Sequence, residues 1–356
     1  MSQGSQREKA MTQQPDFPWL EAGDCEGLDK LLHELGWLAP DERVQGAGRA
    51  GEGNMNLTLR IETGARSFVL KQARPWVEKY PDLAAPWERS AVEQTFYAEA
   101  AAISGVAERM PRLLAADTAT HLIALEDLPG ARDLSNLYTG EADALRTDEI
   151  QSLALYLASL HAHPGNPGDP RLRNRGMREL NHEHIYRVPL NPENGLDLEV
   201  NEPGLPAVAR KIMDDKEFCA AVRTQGQRYL AQGSVLLHGD YFPGSWLRTQ
   251  IGLRIIDPEF TFYGDAEFDL GVAVAHFALA RESLQTAVGF LDQYRGKNSS
   301  LALSLKEVAR NAGVEVMRRL IGVAQLPIPP SDGWRADLLQ KSRHALMKEE
   351  FTELFL

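Results

Sequence analysis

Two short apolar runs constrain this chain more than any other feature. Val235-Leu236-Leu237 leads into His238-Gly239-Asp240-Tyr241-Phe242-Pro243-Gly244-Ser245, and Ile255-Ile256 leads into Asp257-Pro258-Glu259-Phe260. Runs of this kind, bounded by glycine and proline, read as buried strands. The first delivers the carboxylate of Asp240, the second those of Asp257 and Glu259. The expectation is a short hairpin that holds acidic groups rigidly beside a cleft. One carboxylate can orient an attacking hydroxyl while the others hold Mg²⁺ on a nucleotide. That division of labour is what phosphoryl transfer from ATP requires.

The frame around the hairpin follows from length and pattern. A chain of 356 residues exceeds one small core, so two lobes around a cleft are expected. The first lobe is expected over residues 1–126. Leu28, Leu31, Leu32 and Leu35 form a helical stripe within 28–38. Residues 54–61 and 67–72 read as strands joined by a glycine-containing loop, 87–103 as a helix, and 122–125 as a strand. Glu126-Asp127-Leu128-Pro129-Gly130 supplies turn chemistry for the boundary. The second lobe, 127–356, reads as mainly helical over 147–163, 207–231, 268–280 and 308–325, with an irregular connection at 190–206. The class is therefore α+β, a small β-rich N-terminal lobe with one long helix and a larger helical C-terminal lobe. The polar N-terminus is expected to be a loose tail.

Composition narrows the partners. A formal charge of -12 repels nucleic acid and anionic lipid, so neither is expected to bind. No apolar stretch approaches the roughly 20 residues of a membrane span, and the N-terminus lacks the apolar core of a signal peptide. Cys25 and Cys219 lie far apart without metal spacing. They read as reduced thiols in a cytoplasmic protein.

Candidate nucleotide contacts begin at Gly51-Glu52-Gly53-Asn54-Met55-Asn56. Glycines there let backbone N–H groups approach phosphate oxygens, which assigns Gly51, Gly53, Asn54 and Asn56 to the nucleotide. Lys71, inside an apolar strand, can reach the α- and β-phosphates; the alternative is a strand lysine facing solvent. Glu93 and Glu99 on the next helix are candidates to orient Lys71, and the more apolar surroundings of Glu99 favour it. Backbone groups around Glu126 and Leu128 can pair with the adenine edge. Asp240 is the candidate acceptor of the substrate hydroxyl proton and itself a substrate contact. Asp257 and Glu259 are candidate Mg²⁺ ligands, with Ser245 a weaker hydroxyl donor. His238 reads as structural, and Asp269 as the residue that ties down the loop or caps the following helix.

These residues in this order resemble the kinase-like superfamily of aminoglycoside and choline phosphotransferases, and within it the methylthioribose kinase branch. The resemblance runs from about Gly48 to Gln325. It is carried by Gly53-Asn54-Met55-Asn56, Val69-Leu70-Lys71-Gln72-Ala73, Asp257-Pro258-Glu259-Phe260-Thr261-Phe262-Tyr263-Gly264 and Met317-Arg318-Arg319-Leu320-Ile321-Gly322-Val323-Ala324. It implies a bilobal protein-kinase-like fold with ATP between the lobes, and Mg²⁺ on the Asp257–Glu259 pair. It also implies a sugar hydroxyl as acceptor, O1 of 5-methylthioribose or a related 5-deoxy or 5-alkylthio pentose, and a homodimer. Arg318 and Arg319 resemble that branch's paired arginines at the sugar site. Spacing alone says less, because adjacent helical residues diverge by about 100°, and one of the two can instead serve a structural ion pair. The chain departs from the pattern after Asp240, where Phe242 and Pro243 replace a histidine and a threonine. Another small alcohol as acceptor, or a catalytically silent nucleotide-binding module, are the competing readings.

Overall fold

The computed structural model describes residues 5–51, 55–141, 143–299 and 301–356. The chain divides into two compact units, Met1–Ala102 with Pro111–Pro129, and Ile103–Met110 with Gly130–Leu356. The chain thus leaves the first unit at Pro129 rather than at residue 126. Residues 103–110 belong with the second unit for a definite reason. Arg109 accepts the Ile255 N–H on its carbonyl at 2.7 Å and donates from Nε to Ser152 Oγ at 3.1 Å.

The first unit is built on a five-stranded antiparallel sheet. Its order is Val44–Arg49, Leu57–Thr63, Ser67–Gln72, Leu122–Glu126 and Leu113–Asp117. Alternation along the strands puts Leu57, Leu59, Ile61, Phe68 and Leu70 on one face, packed with Leu28 and Leu32 of the Cys25–Glu34 helix. That parity turns Lys71 to the opposite face, where the Arg89–Ala100 helix supplies its partner. Residues 1–4 of the expected tail lie outside the described residues, and from Ser5 onward the segment is folded. Ser5 and Glu8 form a capping box at the start of the Gln6–Gln13 helix. Trp19 then stacks on Trp87, and Trp87 on His121 at 4.3 Å between ring centroids. The Gln72 amide grips the segment at both Leu20 N and Pro18 O. The apolar run Phe17-Pro18-Trp19-Leu20 explains the ordering, since three large side chains have a buried surface to meet.

The second unit is mainly helical, as expected. Its centre is the Glu267–Leu279 helix, every residue of which is buried. Around it lie Thr147–His161, Leu284–Lys297, Leu305–Ile321 and Trp334–Lys348. The single helix expected over 207–231 is two, Leu205–Asp214 and Lys216–Leu230, because Asp215 adopts an extended conformation and caps the second. The two acidic strands do not form one hairpin. Val235–Leu237 pairs with Phe262–Gly264, and Gly252–Ile255 pairs with Trp246–Thr249. Among the described residues no helix is long and apolar enough to cross a membrane.

Candidate active site

In the first unit, Lys71 Nζ donates to Glu93 Oε1 at 2.8 Å, with the two side chains 5% and 2% exposed. The carboxylate presented to Lys71 is therefore Glu93, not the preferred Glu99. Glu99 lies six residues further on, about 9 Å along the helix and about 120° around it. Apolar neighbours in sequence were the wrong criterion; the helix face decides. Asn56 is buried, and its Oδ1 accepts from Arg89 Nε at 3.0 Å. The same guanidinium donates to the carbonyls of Met55, Arg74 and Pro86. Arg89, which sequence reasoning missed, thus anchors the end of the glycine segment. Gly51 is exposed with open space where a Cβ would stand. Gly53 and Asn54 lie outside the described residues. The Glu126 N–H is spent on Arg112 O at 2.9 Å, so that group does not serve a base. Neither backbone group of Leu128 finds a protein partner among the described residues, which leaves them open to a ligand.

In the second unit, the loop bearing Asp240 is pinned from below. Asp269 accepts the His238 N–H at 2.7 Å and the Gly239 N–H at 3.0 Å, and it meets His161 Nε2 at 3.2 Å. His238 Nε2 lies 3.0 Å from Ile256 O. A carbonyl only accepts, so Nε2 carries the proton and Nδ1 faces the Asp240 N–H at 3.4 Å. Both residues are the structural ties expected of them. Gly239 has φ +85°, and a Cβ there would press into the Phe260 carbonyl. Ser245 Oγ donates back to Asp240 O at 3.0 Å, and Ser245 O accepts the Ile256 N–H. Its hydroxyl proton closes the loop, and only its lone pairs remain for a cation.

Asp257 sits in the left-handed region at φ +61°, directly before Pro258. A non-glycine residue held there costs on the order of 1–3 kcal/mol, and such outliers cluster at functional sites. The surroundings impose it. Asn174 Nδ2 donates to the carbonyls of Glu259 at 2.8 Å and Thr261 at 2.9 Å. Thr261 Oγ1 donates to Leu237 O at 2.6 Å, joining this loop to the strand that carries Asp240. Asn174 gave no sequence signal beyond being an asparagine ahead of a helix. The donor set suits Mg²⁺. Among the described residues no three acidic, His or Cys side chains converge on one metal position. A pair of carboxylates completed by phosphate and water oxygens is how proteins usually hold that ion.

Beside Asp240 lies a buried charge cluster. Arg319 Nη2 is 3.7 Å from Asp240 Oδ1. Arg319 Nε donates to Glu315 at 2.6 Å, Arg318 Nη1 donates to it at 3.0 Å, and His276 Nε2 lies 3.1 Å from it. His276 Nδ1 meets Tyr138 Oη at 2.6 Å. Burial alone would raise Glu315, but Arg318, Arg319 and His276 hold it well below the usual carboxylate range. Burial pushes His276 down to about 4. A neutral ring facing an ionised carboxylate carries its proton on Nε2, so Nδ1 accepts the Tyr138 O–H. Burial likewise pushes Asp240 up to about 6 against the pull of Arg319 and Arg318, with Glu315 and Glu259 adding to the rise. The Phe242 ring lies 4.6 Å from the Arg319 guanidinium carbon and 5.3 Å from the His276 ring. A Cβ on Gly244 would meet Phe242 at 2.5 Å, so this glycine provides the ring's seat. Sequence reasoning missed Glu315, although its i,i+3 and i,i+4 spacing to the two arginines was visible.

Comparison with known proteins places the sequence in a family. The profile of the phosphotransferase enzyme family (APH) matches residues 47–302, well over half the chain. A methylthioribose kinase from Exiguobacterium sibiricum is 26% identical over 348 residues, covering 84% of this chain and 85% of the relative. One from Bacillus cereus is 24% identical over 317 residues, covering 78% of each. The choline kinase structure from Cryptosporidium parvum Iowa II superposes with a TM-score of 0.49 at 13% identity, covering 93% of each chain.

Proposed function

The chain belongs to the phosphotransferase enzyme family and is an ATP-dependent kinase, and we propose that it transfers the γ-phosphate to O1 of 5-methylthioribose or a related 5-deoxy or 5-alkylthio pentose. The observation that carries this reading is Asp240. Its carboxylate is raised to about 6, on a loop pinned by Asp269, beside a guanidinium with a spare donor. A carboxylate so raised is a better base than a solvated one and is still ionised at neutral pH. Asp240 aims the acceptor hydroxyl and takes its proton. Lys71, oriented by Glu93, meets the nucleotide's phosphates. Asp257 and Glu259, with a lone pair of Ser245, would hold Mg²⁺, which neutralises charge on the phosphates when bound. Positioning and charge neutralisation supply most of the rate.

The paired arginines support this acceptor. Arg318 and Arg319 share the single carboxylate of Glu315, and His276 is neutral. The acidic neighbours Glu315 and Glu259 balance the two guanidiniums around Asp240, and the spare Nη2 donor of Arg319 suits the hydroxyls of an uncharged sugar. The two named relatives are methylthioribose kinases at modest identity, which supports the same acceptor. The test is ATP consumption with 5-methylthioribose against a panel of other 5-deoxypentoses, choline, homoserine and an aminoglycoside. Thiosugar-dependent ADP formation is expected. Turnover confined to a cationic alcohol would reject the acceptor, and turnover with none would favour a silent nucleotide-binding module.

A further inference from the structure

Arg318 and Arg319 diverge by about 100° on the Leu305–Ile321 helix, yet they meet at one group. Glu315, one turn earlier, accepts from both, and from His276 as well. It is 2% exposed. An ionised carboxylate is tolerated at that depth only where such donors surround it.

The consequence appears at Arg319. Glu315 holds Nε at 2.6 Å, the Ala324 carbonyl holds Nη1 at 3.3 Å, and the Phe242 ring covers one face. What remains is Nη2, buried without a hydrogen-bond partner and 3.7 Å from Asp240 Oδ1. A buried N–H without an acceptor is costly. Released from Glu315, the fork would be free to swing onto Asp240 and form a bidentate pair, the geometry guanidinium and carboxylate favour. That pair would satisfy the arginine and occupy the carboxylate meant for the acceptor. We propose that Glu315 is a positioning residue for phosphoryl transfer: it restrains Arg319 from closing on Asp240 and leaves Nη2 facing an oxygen of the acceptor. The inference rests on Asp240 as the group that aims the acceptor hydroxyl. Glu315 itself does not touch the acceptor and acts through the guanidinium.

The experiment is a double-mutant cycle of wild type, Glu315→Gln, Arg319→Lys and the double variant. Transfer to 5-methylthioribose and transfer to water (ATP hydrolysis) are measured in parallel, with the KM for ATP and the melting temperature. Glu315→Gln is expected to lower kcat/KM for the acceptor by about tenfold to a hundredfold, the worth of a hydrogen bond to a charged group. The KM for ATP should not move. In the Arg319→Lys background the same change should cost little more, because the guanidinium it acts through is gone. Losses that simply multiply, or an ATP KM that worsens together with the acceptor's, would overturn the proposal. A wrong sugar assignment would appear as hydrolysis without thiosugar transfer, and the coupling would still be read on water. If Glu315→Gln does not fold, Glu315→Asp, which keeps the charge and withdraws it by one methylene, enters the cycle with the same expectations. Insolubility of both would mark Glu315 as a folding residue and reject the positioning role.

Discussion

Replacing Asp269 by alanine asks what keeps Asp240 in place. The two backbone N–H groups just before Asp240, those of His238 and Gly239, both end on this one carboxylate at 2.7 and 3.0 Å. Alanine leaves them buried and unsatisfied, and removes the partner of His161 Nε2. Each orphaned N–H costs about 1–3 kcal/mol, so these two cost the loop about 2–6 kcal/mol of native stabilisation. In a unit of this size 1 kcal/mol moves the melting temperature by about 2–4 °C, which gives a drop of roughly 4–24 °C. The second readout is catalytic. Asp240 directly follows the two pinned residues, and a displacement of about 1 Å in such a group costs about a hundredfold in rate. Asp269→Asn keeps the volume but turns an amide donor toward a backbone donor, so it should follow alanine rather than wild type. Differential scanning calorimetry and steady-state transfer assays on both variants decide the matter. A melting temperature within about 2 °C of wild type, with unchanged kcat, would show that burial alone holds the loop and refute the reasoning.

Asp240→Asn should abolish nearly all transfer and yet stabilise the protein. The folded carboxyl at about 6 lies above its unfolded value, so its destabilising effect grows as pH rises from about 4 to 6. Urea titrations should find the variant more stable at pH 8, by up to about 3 kcal/mol, with the difference fading toward pH 3.5. His276 runs the other way. Its folded value of about 4 lies below the unfolded one, so the unfolded chain takes the proton first and stability falls as pH drops from about 6.5 to 4. His276→Gln, made in the Asp240→Asn background to remove the opposing contribution, should flatten that part of the melting-temperature profile. Glu93→Gln removes the charge facing Lys71 Nζ. It should raise the KM for ATP by about tenfold while leaving that of the acceptor unchanged.

The parts of the structure legible in the sequence were those set by local pattern. Ser67–Gln72 was read to the residue, because alternation of Phe68, Val69, Leu70 and Lys71 between turn residues fixes a strand and its parity. The long buried helices followed from their apolar content. Pairing between strands was not legible. Val235–Leu237 and Gly252–Ile255 look like two arms of a hairpin, yet each takes a different partner, and Thr261 reaching Leu237 O closes the first pair. Nothing local separates these pairings, since strands of three and four residues fit either. The carboxylate at Lys71 depended on a helix face, not on neighbours in sequence. At the N-terminus, composition suggested disorder while four consecutive residues held three large apolar side chains.

The site itself is held against several local preferences at once, and this bears on what it binds. Asp257 occupies a left-handed conformation before a proline, Asp240 resists ionisation, and Arg319 Nη2 is buried without an acceptor. Each is a cost that a core selected for stability alone would remove. They fall on one connected frame, in which Thr261, Ser245, His238 and Asp269 tie the two acidic loops together by hydrogen bonds. A frame that rigid keeps the three groups from relaxing toward one another. The groups also ask for complementary things: Asp240 for a proton donor, Arg319 for an oxygen, and the Asp257–Glu259 pair for a cation. An acceptor hydroxyl supplies the first two through its own proton and oxygen. A metal-bound phosphate supplies the third. On the proposed function, the acceptor and the metal-bound phosphate together meet all three demands, and neither does so alone.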